Sequence, residues 1–267
     1  MSTQPSPGGR PPAAEGSRSR GIQSVGRALD LLRLLAAAPG PISLGELAEA
    51  AGMSPSKAHR YLASFAAAGL VTQQRRSGRY DLGPLALEVG LAALGRLQLV
   101  NRAAELMPEL VATTGATALL AVWSHAGPVI VRWERSARYA VTALGLGSVL
   151  PLTRSATGQV FLAWLPAPLT AALLAAEVQG KEAKAALAQA ERVRQDGIAR
   201  VDGRLIPGLF AASVPVLDWQ GQAEAALTLI DTRPELIVPD GPCLAALRRA
   251  GDAASVPRIE QAADRND

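Results

Sequence analysis

The chain has 267 residues, 49% of them apolar and 19% charged, enough for two domains and a sizeable buried core. It has no run of eighteen apolar residues and no apolar stretch near Met1, which argues against a membrane-spanning helix and a secretory signal. Its charge of +4 is uneven: residues 1–83 hold ten Lys/Arg against five Asp/Glu and residues 84–267 seventeen against eighteen, so a polyanionic partner is expected for the N-terminal part alone.

Residues 1–20 are mostly Pro, Gly, Ser and Arg, cannot bury enough surface to offset their ordering entropy, and are expected to be a disordered tail. A helix is predicted from Ser24, as N-cap, to about Ala38, with Val25, Leu29, Leu32 and Leu35 on one face and Pro39-Gly40-Pro41 stopping it. Ser43 and Glu46 fit a capping box for a short helix, Leu44 to Ala51. After the turn Gly52-Met53, Ser54 caps a helix with Pro55 at its first position, running to about Ala68. Its buried stripe is Ala58, Leu62 and Phe65. Val71–Gln74 and Arg79–Leu82 then form a hairpin around Arg75-Arg76-Ser77-Gly78.

Residues 43–83 thus read as a winged helix-turn-helix, within a domain spanning 21–83. A helix with polar and basic residues at its N-terminal end, followed by a basic ribbon, has the shape and charge for a major groove and its phosphates. Ser56, Lys57, His59 and Arg60 are the base-reading candidates, and Ser54 suits a phosphate at the helix N-terminus. Arg75, Arg76 and Arg79 on the wing, and Arg27 on the first helix, are candidates for backbone contact, which supplies affinity without sequence choice. The plain alternative for each is a solvated basic face.

Next comes a helix, Leu85 to about Leu99, apolar over most of its girth and so in need of cover on several sides, by a second copy or, in the plain alternative, as an ordinary buried helix. Residues 84–99 are therefore expected to link and dimerise. Residues 100–252 alternate signals: a helix over Asn101–Thr113, strands over Thr117–Trp123, Val129–Ser136 and Tyr139–Leu144, and helices over Thr157–Leu165, Leu169–Ala176 and Lys184–Gln195. Strands over Ile198–Val201, Leu209–Val216 and Ala223–Ile230 and a helix over 241–250 complete an α+β domain, an antiparallel sheet flanked by helices; 253–267 is expected to be a second disordered tail. The lone Cys243 forms no internal disulfide, in keeping with a cytoplasmic protein.

Several ordered stretches are similar to those of IclR-type transcriptional regulators. They are Gln23-Ser24-Val25-x-Arg27-Ala28-Leu29, Leu44-x-Glu46-Leu47-Ala48, Ala58-His59-Arg60-x-Leu62 and Gly78-Arg79-Tyr80-x-Leu82-Gly83. Leu150 to Gln159 and Ala211-Ala212-Ser213-Val214-Pro215-Val216-x-Asp218-x-x-Gly221 continue the match to about Ile230. The resemblance implies a winged helix-turn-helix, a linker helix, a GAF-like effector-binding domain, and dimers that often pair into tetramers on DNA. Two departures stand out: Thr153 and Gln159 occupy positions where the family often has His and Lys, and Arg204 lies where a Glu often precedes the penultimate hairpin strand.

For the effector, Thr153–Gly158 is a stretch of small residues at a helix start, whose amides suit a carboxylate. The family's pocket maps onto Ala156, Thr157, Asp202, Leu209, Ala211, Thr228 and Ile230. Ala211 and Ile230 stand where some relatives carry polar atoms, and Trp123, Trp133 and Leu144 are either pocket wall or core packing, so a hydrophobic or aromatic acid is expected. No cofactor is expected: there is no Cys/His cluster, nucleophile elbow, Walker loop or dinucleotide fingerprint. The expected function is a sequence-specific DNA-binding repressor or activator under effector control. The alternatives are a small-molecule-processing enzyme using its helix-turn-helix only to dimerise, and an architectural DNA-binding protein.

Overall fold

The computed structural model describes residues 23–137, 144–203 and 205–256. The expected N-terminal tail, residues 257–267 of the expected C-terminal one, most of the expected strand Tyr139–Leu144, and Arg204 lie outside them; residues 253 and 254, expected in the tail, instead complete the last helix, with Ala254 buried. The chain divides into two compact units, Met1–Ala93 and Leu94–Asp267. No helix among the described residues is long and apolar enough to cross a membrane.

The first unit is three helices and a ribbon: α1 (Gln23–Ala37), α2 (Leu44–Ala50), α3 (Pro55–Ala67), β1 (Val71–Gln73) and β2 (Tyr80–Leu82). Helix α2 starts at a complete capping box. The Ser43 amide donates to Glu46 Oε2 at 2.9 Å, and the Glu46 amide donates to Ser43 Oγ at 3.3 Å. Antiparallel pairing of Val71 with Leu82 and Gln73 with Tyr80 forms the wing, and Ile42 bridges to Tyr80 along its edge. Gly83 closes the wing: a Cβ there would overlap the Gly69 carbonyl oxygen and meet the Val71 nitrogen at 2.9 Å.

The core of this unit is Leu31, Leu35, Leu47, Ala48, Ala58, Leu62, Val71 and Tyr80. The inward face of α1 therefore differs from the sequence reading. Leu31 and Leu35 are buried, with Leu32 packed beside them, whereas Val25 and Leu29 are 50% and 44% exposed. Apolar residues at 25, 28, 29, 31, 32 and 35 make a stripe wider than one neighbour covers, and α2, α3 and the wing take only its C-terminal part. Ser24 also lies inside α1 rather than capping it.

Helix α4 (Pro84–Gly95) is shorter than the expected Leu85–Leu99 segment. It ends at a glycine, whose carbonyl accepts from Asn101 Nδ2 at 3.3 Å, and a new helix, α5 (Gln98–Thr114), begins three residues later. None of α4's twelve residues is buried.

The second unit is built on β3 (Thr117–Ser124), β4 (Gly127–Glu134), β5 (Ala199–Asp202), β6 (Phe210–Leu217) and β7 (Ala223–Asp231). They form one antiparallel sheet in the order β4-β3-β7-β6-β5. The segment around Gly147–Leu150 hydrogen-bonds to Pro128 and Ile130 on the outer edge of β4. Strand alternation sorts side chains between two layers. Leu120, Val214, Leu227 and Leu229 pack under α5 and α9 (Pro242–Ala254), the helix that continues past the expected end at 250. The opposite face carries α6 (Ala156–Trp164) and, beside it, α8 (Gly180–Asp196); α7 (Ala167–Glu177) lies between these two in sequence.

Candidate functional site

Two places in the molecule gather the predicted site residues, one in each unit. In the first, Ser24, Ser54, Ser56, Lys57, Arg60, Tyr61 and Ser64 line an open cleft of about 450 Å³. Two cations and five hydroxyl groups line it, and no carboxylate. Ser54 is the N-cap of α3 by backbone conformation, but its side chain makes no cap hydrogen bond, so the hydroxyl is not committed to the helix. His59 is exposed one position from Arg60, and Ala58 and Leu62 fix the rotation of α3 by facing the core. Ser24, expected from the sequence to cap α1, joins this lining, as do Tyr61 and Ser64, which the sequence reading does not single out.

The wing arginines divide. Arg75 and Arg76 are exposed on the turn between β1 and β2. Arg79 is turned back into the unit: its Nη1 donates to the Pro41 carbonyl at 3.0 Å and lies 3.6 Å from Glu46 Oε2. It pins the wing to the start of α2, a role that competes with the phosphate contact expected of it. Glu46 feels the same arrangement, since the side-chain and backbone hydrogen bonds of Ser43, helped by Arg79, hold its carboxyl below the ordinary range. Arg27 is exposed on α1, outside the cleft lining.

In the second unit a small cavity of about 30 Å³ lies between the sheet and the start of α6. Six of the seven predicted effector residues line it: Ala156, Thr157, Leu209, Ala211, Thr228 and Ile230. Leu144 does too, with Leu119, Leu150, Ser155, Val201, Leu205 and Ile206, which sequence reading had not singled out. Asp202 does not. Val201 pairs with Ala211 and faces the cavity, so the next residue, Asp202, paired with Phe210, points to the other side and is exposed.

The cavity's polar groups come from the start of α6 and from a hydroxyl chain. Ser155 caps α6, its Oγ accepting from the Gly158 amide at 2.8 Å and donating to the Pro151 carbonyl at 2.6 Å. The capping leaves the Ala156 and Thr157 amides, which have no carbonyl a turn earlier to bond, at the cavity wall. Gly158 lets α6 approach so closely, since a Cβ there would overlap the Pro151 and Leu152 carbonyl oxygens. Behind Thr157 runs a fully buried chain: Thr157 Oγ1 lies 2.8 Å from Thr228 Oγ1, which donates to Ser213 Oγ at 2.8 Å.

Thr153 is placed differently from the sequence expectation. Its amide and hydroxyl both donate to Glu177 Oε2, and the Leu152 amide donates to Oε1 at 2.6 Å. Glu177, at the end of α7, thus holds the loop before α6, and Thr153 is structural. Trp123 is also core: its ring packs on Phe161 with centroids 5.6 Å apart. Among the described residues no group of His, Cys, Asp and Glu is arranged to hold a metal ion.

Residues 24–75 match the model of the IclR helix-turn-helix domain, and residues 91–255 match that of the C-terminal domain of bacterial IclR transcriptional regulators. The chain is 28% identical over 241 residues to the HTH-type transcriptional regulator BhcR of Paracoccus denitrificans, covering 86% of each protein. Among solved structures it is similar to Pseudomonas aeruginosa HmgR, with 35% identity, a TM-score of 0.68, and coverage of 88% of this chain and 98% of that one. It also shares its fold with an IclR homolog from Microbacterium hydrocarbonoxydans crystallised with 4-hydroxybenzoate, with 18% identity, a TM-score of 0.71, and coverage of 87% and 98%.

Proposed function

The chain belongs to the IclR family of bacterial transcriptional regulators, and from that premise we infer how its two units divide the work. It is a DNA-binding regulator rather than an enzyme, with a winged helix-turn-helix followed by an effector-binding domain. In our reading α3 enters the major groove, where Lys57 and Arg60 reach base edges while the hydroxyls of Ser54, Ser56 and Ser24 donate to the flanking phosphates. The observation that carries it is the cleft lined by two cations and five hydroxyls. Arg75 and Arg76 add backbone contacts beside it.

Dimerisation is supported by α4 and α1. Leu87, Val89 and Leu91 are 65%, 58% and 57% exposed, with Val25 and Leu29 uncovered on α1. Isolated apolar side chains on a surface are ordinary, but a helix apolar over most of its girth with nothing buried is not. A second copy would cover it and set two α3 helices on successive half-sites of a near-palindrome.

The cavity in the second unit is the effector site. An anionic group fits the Ala156 and Thr157 amides, and the rest of the wall is mostly aliphatic, which favours an aromatic or otherwise apolar acid. The neighbour crystallised with 4-hydroxybenzoate supports this class. A cavity of about 30 Å³ holds little more than water. A guest of that class therefore binds only where the lining side chains have moved apart, and this supplies the unequal affinity for two states that control of DNA binding needs. A mobility shift on the chain's own upstream region, with and without benzoates, tests both halves. Absence of retardation at low salt sinks the DNA reading, and binding confined to two- or three-carbon acids sinks the aromatic one.

A further inference from the structure

The indole N–H of Trp133 is a polar group that the fold leaves unmatched. Nε1 is buried and has no hydrogen-bond partner among the described residues. A buried donor without an acceptor is rare, because it forfeits its hydrogen bonds to water and gains nothing in return. The orphan lies beside the effector cavity. Trp133 on β4 pairs directly with Leu119 on β3, and Leu119 pairs with Thr228 on β7. Directly paired residues share a face of the sheet, so the indole stands on the cavity side, in one row with Leu119 and Thr228. It packs against the cluster formed by Leu119, Ile130, Leu150 and Ile230, of which all but Ile130 line the cavity.

We propose that Trp133 is a specificity-determining residue of the effector site, its N–H reserved for an acceptor oxygen on the effector's ring, remote from the carboxylate. The inference rests on the effector reading above and adds to it a chemical requirement. Two strand spacings separate Trp133 from Thr228, about 10 Å between backbones, and Trp133 is not itself among the residues that line the closed cavity, so its donor meets an effector only once the lining has moved apart. The polar groups therefore stand at the two ends of this row: helix amides and the Thr157–Thr228 hydroxyls at one, a single donor at the other. An aromatic acid with a hydroxyl or keto oxygen opposite its carboxylate matches both ends. An acid with a methyl group there has much the same shape and leaves the donor bare, and a site built around a hydrogen bond discriminates strongly against such an analogue.

Titration calorimetry on the full chain, wild type and W133F, with benzoate, 4-methylbenzoate and 4-hydroxybenzoate tests this. Wild type is expected to bind 4-hydroxybenzoate at least about tenfold more tightly than 4-methylbenzoate. W133F keeps the ring and removes the donor; it should shrink that ratio to about threefold or less and leave 4-methylbenzoate within about twofold. A ratio kept in W133F, or equal weakening of all three acids, overturns the proposal while the aromatic-acid reading stands. If wild type binds none of the three, that reading falls and the proposal with it. Should W133F not fold, the indole N–H resonances of wild type give the answer. One of the four tryptophans should shift downfield with 4-hydroxybenzoate and not with 4-methylbenzoate, and no such difference overturns the proposal.

Discussion

The two units solve opposite problems with the same kind of chain. The first has a core of eight buried side chains, all aliphatic but for Tyr80, and keeps the serines and cations of its cleft outside. The second contains every buried polar side chain among the described residues, from Thr114 to Asp231. A surface that reads DNA must present its polar groups to solvent, and a small core behind it suffices to fix their direction. A cavity that reads a small molecule must present polar groups inward, so each needs a partner within the fold. The first unit should therefore fail through lost packing and the second through lost hydrogen bonds, while the two recognition functions fail separately.

The largest effect expected is on recognition by the first unit. Replacing Lys57 and Arg60 together with alanine should weaken operator binding by at least about thirtyfold, since a good base contact contributes roughly 1–3 kcal/mol. Benzoate binding and the melting of the second unit should not change. Fluorescence anisotropy with labelled operator, beside calorimetry, checks the separation, and parallel loss of both activities would break it. Ser54→Ala and Ser56→Ala should reduce affinity with stability held within about 0.5 kcal/mol, because both side chains are exposed.

Next comes the small core. Leu62 and Leu47 are fully buried, and alanine at either should cost about 2–5 kcal/mol. In a unit with eight core residues that is enough to unfold it, so urea denaturation should show an early transition and DNA binding should vanish. Leu229→Ala, equally buried in the second unit, removes one of twenty-one side chains from its largest cluster and should lower the midpoint while leaving a folded domain. Equal tolerance at Leu62 and Leu229 would mean that the units do not differ as their cores suggest.

These contrasts were partly legible in the sequence. The capping box at Ser43 and Glu46, Pro55 at the start of α3, and the spacing of Ala58 and Leu62 together specify which face of α3 turns outward, because local rules decide all three. The cavity was legible only through resemblance, yet Thr157, Thr228, Ala211 and Ile230 do meet there. What failed was long-range. Asp202 was placed inward without the β5 register that turns it away, and Thr153 without Glu177, which lies 24 residues on. The buried face of α1 was misjudged because its apolar stripe is wider than its partners cover. The orphan donor of Trp133 had no sequence signal at all, since it depends on what the neighbouring strands fail to offer.

A smaller effect separates the hydroxyls of the second unit. Thr228→Val removes the middle of the chain and leaves both Thr157 and Ser213 buried without their partner, a cost of about 1–3 kcal/mol. Thr157→Val should cost less, because Thr228 keeps its bond to Ser213 and loses only a donor to itself. The valine keeps the shape in each case, so chemical denaturation reads the hydrogen bonds alone. If the two substitutions proved equal, the hydroxyls would not act as a chain.

The smallest effect distinguishes a buried carboxylate from an exposed one. Burial pushes the Asp231 carboxyl up, but hydrogen bonds from the Arg233 side chain and amide and the guanidinium charge outweigh it and hold the group below its ordinary value of 3.8. Arg233 also donates to the Thr114 carbonyl at 3.2 Å, so the pair ties the end of β7 to the end of α5. A carboxyl with a lowered folded pKa contributes stability that is complete above its unfolded pKa and lost as pH falls through the folded one. The second unit should accordingly lose stability below about pH 4. D231N should flatten that part of its pH profile. Glu46 is lowered too, by the Ser43 hydrogen bonds and by Arg79, but it is fully exposed, and solvent competes for both. E46Q should therefore alter the acid limb of the first unit much less than D231N alters that of the second. Melting curves of both variants between pH 3 and 6, resolved by unit, decide it, and a larger change for E46Q would mean that the exposed capping box, rather than the buried pair, governs how this molecule responds to acid.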